Sequence, residues 1–183
     1  MQLHNFNLFP TQIYSFLFSP QEIQPLLDEI SLKEKQIKKV SKYFNHMGGV
    51  NDYYTDYANP VKLQEYEKLM MMLGNFFMNK NKTFNIVNYW TAYYGNTSYH
   101  DTHTHHIFLN KHSYNYSSVL YLTNGGGTKF FSSNYTSSQQ EELVPSKVGK
   151  IVFFPSNLLH SGTNDKSGER IIISSNVEMY ATS

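Results

Sequence analysis

A chain of 183 residues with a formal charge of +1 and no cysteine can bury a core with a cavity inside it. It rests on no disulfide and must hold any metal through nitrogen and oxygen ligands. Its 13 phenylalanines and 15 tyrosines exclude a disordered chain, which could not keep that much aromatic surface in water, and its near-neutral charge gives no strong nucleic-acid signal.

The first 18 residues lack a basic stretch followed by an apolar one, and no apolar run approaches the roughly 20 residues needed to cross a bilayer. A soluble, unexported protein is expected, and a reducing cytoplasm suits it. Ser19 to Ile30, SPQEIQPLLDEI, offers Ser19 as N-cap, Pro20 at the first helical position and Glu22 three residues past the cap, a reciprocal capping box. Ile23, Leu26, Leu27 and Ile30 then share one stripe, so a helix begins here, with Pro25 able to bend its first turns. The basic run from Lys33 to Lys42 is interrupted by Glu34, Ile37 and Val40 and reads as a solvated helix face. Residues 46–60 carry turn chemistry without a period and read as a loop. A second helix is expected to open at Asn59-Pro60, with Leu63, Tyr66, Met70, Leu73 and Phe77 at helical spacing up to the polar break at 79–82. Methionines 70–72 read as core filler.

From residue 84 the character changes to short runs rich in Val, Ile, Phe and Tyr, separated by Gly, Asn and Ser clusters. Strands are expected at Phe84–Tyr94, Asp101–Phe108, Ser117–Thr123, Thr128–Phe131, Lys150–Phe154 and Arg170–Tyr180, with breaks at 95–96, 124–127 and 161–168. Residues 132–142 are polar and read as a surface loop. The fold class is mainly β with a helical N-terminal part, a jelly roll backed by helices. One domain is expected over 1–183, with 1–83 as helical support and 84–183 as the β core.

Five of the eight histidines lie between 100 and 112. On a strand, Asp101, His103 and His105 fall on one face, opposite His100, Thr102, Thr104 and His106. Positions 101 and 105 of a regular strand are about 13 Å apart, so a two-ligand bite is 101 with 103, or 103 with 105, and His103 belongs to both. A third ligand from a distant strand is available in His160, after the turn that Pro155, Ser156 and Asn157 would make. Ten residues further on stands Arg170, the one arginine against fourteen lysines. A chain so biased towards lysine would use lysine wherever a bare positive charge sufficed, so the position calls for a planar fork that can grip a carboxylate with two hydrogen bonds.

These residues resemble the 2-oxoglutarate and Fe(II) dependent dioxygenases, and within them the small oxygenases common in phages and bacteria. The matching stretches are WTAYYG (90–95), HTH (103–105), SSVLYL (117–122), GGTKFF (126–131), GKIVFFPSNLLHS (149–161) and ERIIISSN (169–176), with NLFPTQIYSF near the start similar to the family's opening strand. The resemblance implies a double-stranded β-helix, His103 and His160 as iron ligands, and Arg170 as partner of the 2-oxoglutarate C5 carboxylate. Tyr89, Tyr93, Tyr94 and Tyr121 are candidates for hydroxyl contacts to the co-substrate. Ser174 and Asn176 share Arg170's face by period two and are candidates to assist. Where the better-known members read His-x-Asp, this chain reads His103-Thr104-His105. His105 is favoured as the middle ligand, with Asp101 as the alternative; Asp101 otherwise serves as acceptor for a ligand imidazole N–H. Residues 106–116 form a longer connection than is usual in the family.

The reaction implied is oxidative decarboxylation of 2-oxoglutarate by O2 at Fe(II), giving succinate and CO2, with hydroxylation of an unidentified substrate: a protein side chain, a nucleobase or a small metabolite. Two other readings stand beside it: a cupin-like zinc hydrolase using the same histidines, and a non-enzymatic viral jelly-roll protein. The excess of Lys, Asn and Tyr over Arg fits an AT-rich coding sequence such as that of a phage or an AT-rich bacterium.

Overall fold

The computed structural model describes residues 2–8, 11–40, 53–96, 99–105, 115–132, 141–163 and 168–181. In chain order the elements are β1 (Gln2–Leu8), β2 (Thr11–Leu17), α1 (Pro20–Val40), β3 (Tyr53–Thr55), α2 (Gln64–Met78), β4 (Lys82–Tyr94), β5 (His100–His103), β6 (Tyr116–Tyr121), β7 (Gly127–Phe131), β8 (Glu141–Pro145), β9 (Lys150–Pro155), β10 (His160–Thr163) and β11 (Arg170–Ala181). They form a seven-stranded sheet in the order β1-β2-β9-β6-β11-β4-β3 and a four-stranded sheet in the order β5-β10-β7-β8, with antiparallel pairing throughout. This is the expected β-helix backed by helices. The N-terminal part differs from a purely helical support, because β1, β2 and β3 extend both edges of the large sheet.

The capping box forms as read: Ser19 N–H donates to Glu22 Oε2 at 2.7 Å and Glu22 N–H to Ser19 Oγ at 3.3 Å. The helix runs on through the basic segment to Val40 and tolerates Pro25 in its second turn. The second helix begins later than Asn59-Pro60. Asp56, 1% exposed, holds residues 56–61 in a turn by accepting from Val61 N–H at 2.7 Å and Thr91 N–H at 2.6 Å. The first amides of α2, those of Gln64 and Glu65, are capped by the Glu29 carboxylate of α1, each at 2.9 Å. Of the three methionines only Met70 is core; Met71 and Met72 are exposed. The loop read at 46–60 contains the short strand β3, and 46–52 lie outside the described residues.

The expected strand at 101–108 ends at His103, with 106–108 outside the described residues. The break expected at 161–168 starts later, since His160–Thr163 is β10, and the polar stretch at 132–142 gives its last two residues to β8. The remaining boundaries shift by a residue or two.

The large sheet has two buried faces. Phe16, Leu120, Ile151, Phe153, Ile173 and Val177 meet the apolar stripes of α1 and α2, while Ile13, Val119, Tyr121, Val152, Phe154 and Ile172 face the interior between the sheets. A bulge keeps the long strands in phase: β11 pairs Asn176 with Asn88 but Val177 with Ile86, so Val87 is the extra residue on β4. It inverts the alternation, as a one-residue slip must. Phe84 and Ile86 therefore join the helix side, while Ala92 and Tyr94 face inwards.

Candidate active site

His103 ends β5 and His160 opens β10, and the two are register partners across the small sheet. His105 lies two residues past β5, tied by its N–H to Ser156 O at 2.8 Å, within the turn that Pro155 starts. That turn closes with Leu158 N–H donating to Pro155 O at 2.9 Å, as expected from the sequence. One ligand atom from each of the three imidazoles lies within 4.8 Å of the others.

Each ring has its Nδ1 spoken for. His103 Nδ1–H meets Asp101 O at 2.7 Å, His160 Nδ1–H meets Leu158 O at 2.8 Å, and His105 Nδ1–H meets Asn176 Oδ1 at 3.0 Å, with Ser117 Oγ at 2.9 Å. With protons on Nδ1, the three Nε2 atoms are bare lone pairs, the form in which imidazole binds a metal. His103 Nε2 and His105 Nε2 face each other at 3.0 Å. Two metal–imidazole bonds of about 2.1 Å at a right angle span about 3.0 Å, so the spacing suits a shared cation.

Burial keeps these rings neutral. It pushes His105 down to about 4, helped by the neighbouring His103. His160, 4% exposed, is held well below the ordinary histidine range, first by burial and then by His103 and His105. His103 is lowered by burial as well.

Asp101 does not join the cluster: it is exposed and serves His103 through its backbone carbonyl, not its carboxylate. Nor is an acidic side chain part of any metal-competent group among the described residues.

Arg170 is 1% exposed, at the start of β11, with its guanidinium 4.8 Å from the Tyr94 ring and 5.7 Å from the Tyr121 ring. Its Nε and Nη1 have no hydrogen-bond partner among the described residues. A buried cationic donor without an acceptor is costly, and a carboxylate ligand relieves that cost. Gly162 makes room for it, since a β-carbon there would come within 3.0 Å of Arg170 Nη1. From outside, Lys38 of α1 bonds Glu169 at 2.7 Å and so holds the residue before Arg170 against the helix layer.

The histidines and the arginine face one cavity of about 40 Å³, whose wall includes Trp90, Tyr94, His100 and Ser174. Tyr121 faces the same interior but gives its hydroxyl to Thr128 Oγ1 at 2.7 Å. Tyr89 and Tyr93 lie on the helix side, where Tyr89 accepts from Leu63 N–H at 2.9 Å, so neither is near the cavity. His100 leans on His103, with ring centroids 3.9 Å apart and the planes tilted by 37°. Beyond it opens a groove of about 330 Å³ lined by Tyr99, His100, Asp101, Thr102 and Ser161–Thr163.

Residues 89–178 match the family model described as the 2OG-Fe(II) oxygenase superfamily. That match places the β core, residues 89–178, in the 2OG-Fe(II) oxygenase superfamily. The match spans from Tyr89 on β4 to Glu178 on β11 and takes in all three histidines and Arg170. Three solved structures share the fold of this oxygenase. A prolyl-4-hydroxylase from Pseudomonas putida is 15% identical, with 91% of each chain covered and a TM-score of 0.65. The viral collagen prolyl hydroxylase from Paramecium bursaria Chlorella virus-1, in a 2OG complex, is 17% identical over 96% of this chain and 94% of that one, with a TM-score of 0.58. The epimerase SnoN, in complex with Fe3+, alpha-ketoglutarate and nogalamycin RO, is 10% identical over 93% and 81%, with a TM-score of 0.68. No curated protein sequence matches this chain. The enzyme is a non-haem Fe(II) and 2-oxoglutarate dependent oxygenase that uses O2. No helix among the described residues is long and apolar enough to cross a membrane.

Proposed function

We propose that His103, His105 and His160 hold the Fe(II) through their Nε2 atoms, and that Arg170 takes the far carboxylate of 2-oxoglutarate. The observation that carries this reading is the pairing of three clustered imidazole nitrogens with a buried guanidinium on one cavity. When bound, Fe(II) with O2 supplies the oxidative decarboxylation of 2-oxoglutarate to succinate and CO2 and the oxidation of a substrate C–H bond. The chain's own residues do the rest. The Nδ1 acceptors fix the ring orientations. Arg170, with Tyr94 and Tyr121 against it, neutralises a carboxylate that the apolar interior formed by Val119, Phe154 and Ile172 would otherwise reject. Ser174, which also lines the cavity, offers the co-substrate a hydroxyl.

The cavity holds roughly three waters. A ten-atom diacid is larger than that, and turning the His100 ring, which leans on His103, out towards the groove would make room for it. The same groove offers a substrate its approach, and a protein side chain, a nucleobase or a small metabolite are the classes to test. The cysteine-free chain and a ferrous site suit a reducing cytoplasm, and the arginine-poor composition suits a phage or an AT-rich bacterium. A zinc-bound water on the same histidines would leave Arg170 without a role. The test is succinate formation from 2-oxoglutarate with Fe(II), ascorbate and O2, with and without fractionated lysate as substrate. Turnover in the wild type and background in His160→Ala are expected; equal rates in both would overturn the assignment.

A further inference from the structure

His105 occupies the position where the better-known family pattern has a carboxylate, and a carboxylate ligand has no tautomer to choose. An imidazole does: unless its proton is held on Nδ1, Nε2 carries it and cannot bind a metal. Asn176 supplies the acceptor. Its Oδ1 lies 3.0 Å from His105 Nδ1 and its Nδ2 donates to Asn88 Oδ1 at 2.8 Å, an orientation that turns the amide oxygen, an acceptor only, to the ring. Ser117 Oγ lies 3.3 Å from Asn176 Oδ1 and 2.9 Å from His105 Nδ1, completing a small polar cluster in which Asn176 is 3% exposed. The bulge on β4 falls beside this pair, with Asn88 the last β4 residue in the upper register. Were Val87 a regular strand position instead of a bulge, the alternation 84, 86, 88 would put Asn88 on the helix side, away from Asn176.

From these contacts we infer that Asn176, braced by Asn88, is a positioning residue that fixes His105 as an Nδ1–H, Nε2-ligating imidazole, so that β11 carries both the carboxylate clamp and the aligner of the third ligand. The inference rests on the reading of His105 as a ligand.

The test uses the full chain in two measurements. In the metal-free protein, long-range 1H–15N correlation of ring-labelled histidine reports the His105 tautomer. In the second, Co(II) titration followed by its visible d–d bands reports ligand affinity. Wild type is expected to show His105 as the Nδ1–H form. Asn176→Leu is expected to mix the tautomers and weaken Co(II) roughly 10- to 100-fold, the usual effect of removing a ligand's outer partner. Asn176→Asp, which can only accept, is expected to restore both. Asn88→Ala, at an exposed position, keeps the fold should Asn176→Leu not, and is expected to shift both readouts in the same direction by a smaller amount.

Unchanged tautomer and affinity in Asn176→Leu, or in Asn88→Ala where the former does not fold, would overturn the inference, as would Asn176→Asp behaving like Asn176→Leu. Wild type showing the Nδ1–H tautomer but binding no Co(II) would defeat the metal assignment and leave the role of Asn176 standing. Tight Co(II) binding untouched by every variant would do the reverse.

Discussion

Phe153 and Phe154 are neighbours on β9 and both are fully buried, yet they look into different cores. Phe153 packs edge-on to Phe16 and Phe77, at 6.1 and 5.9 Å, in the layer between the large sheet and the helices. Phe154 packs against His160 at 4.6 Å and Phe130 at 4.9 Å inside the barrel. The helix side is filled almost wholly with apolar and aromatic groups and is stabilised by burial and dispersion. The barrel interior starts with the same kind of packing and then, towards one end, gives way to His103, His105, His160, Arg170, Ser174 and Asn176. One face of the sheet therefore holds the fold, and the other gives up stability for a site.

Truncating each phenylalanine breaks that comparison most forcefully. Phe153→Ala and Phe154→Ala should each cost about 3–5 kcal/mol. Only Phe154→Ala should also weaken Co(II) binding, because it releases the ring that supports His160; equal loss of metal binding in both variants would erase the distinction. Thermal melts combined with Co(II) titration decide it.

Acid should strike the barrel side first. His100 and His105 are pushed down to about 4 by burial and by the neighbouring His103, whereas in the unfolded chain they titrate near 6.5. Below about pH 6.5 the unfolded state takes up protons that the metal-free folded state refuses. Stability is then flat above that pH and falls towards pH 4, approaching about 1.4 kcal/mol per pH unit for each such group. The carboxyls of Glu22 and Glu29 are held below 4.5 by Ser19 and by Lys33 with the α2 amides, despite the burial that opposes this at Glu29. Their contribution is lost only at lower pH, and Asp56, raised by burial, protonates first in the folded state and opposes the fall, so the loss of stability between about 6.5 and 4.5 comes from the imidazoles. Denaturant titrations across it should show the slope, and His100→Asn should reduce it.

A gain of stability should accompany loss of function at Arg170. Arg170→Met removes a buried cation whose Nε and Nη1 lack partners among the described residues while keeping the stem's volume. The metal-free protein should gain about 1–3 kcal/mol, or roughly 2–12 °C in Tm, and lose the protection that 2-oxoglutarate is expected to give the wild type. A destabilised variant would mean that the guanidinium is structurally satisfied.

The smallest effect belongs to the helix side. Glu29→Gln weakens the cap it gives to Gln64 and Glu65 of α2 and should cost about 1 kcal/mol, with no change in metal affinity.

The same two sides explain what could be read from the residues alone. The capping box at Ser19 and Glu22 and the apolar stripes were legible because their partners lie within a helical turn or two. So was much of the site, because histidine clustering and a solitary arginine are conspicuous in a lysine-rich chain. What could not be read depends on contacts between distant segments. The start of α2 is set by Asp56 and by Glu29 from another helix, and β8 and β10 are strands because β7 pairs with both. Asp101 was a candidate ligand by strand alternation, but the chain leaves the strand after His103, which frees His105 to turn in beside it. Asn176 was visible as a residue in phase with Arg170. Its service to His105 required knowing that the segment after β5 crosses to β11.

Whether three imidazoles and one guanidinium share a metal and a diacid is decided by anaerobic addition of Fe(II) and then 2-oxoglutarate, followed by visible absorption. A weak charge-transfer band is expected that saturates near one equivalent of iron, vanishes in His160→Ala and needs far more 2-oxoglutarate in Arg170→Met. No band in the wild type, or the same band in His160→Ala, would contradict this expectation.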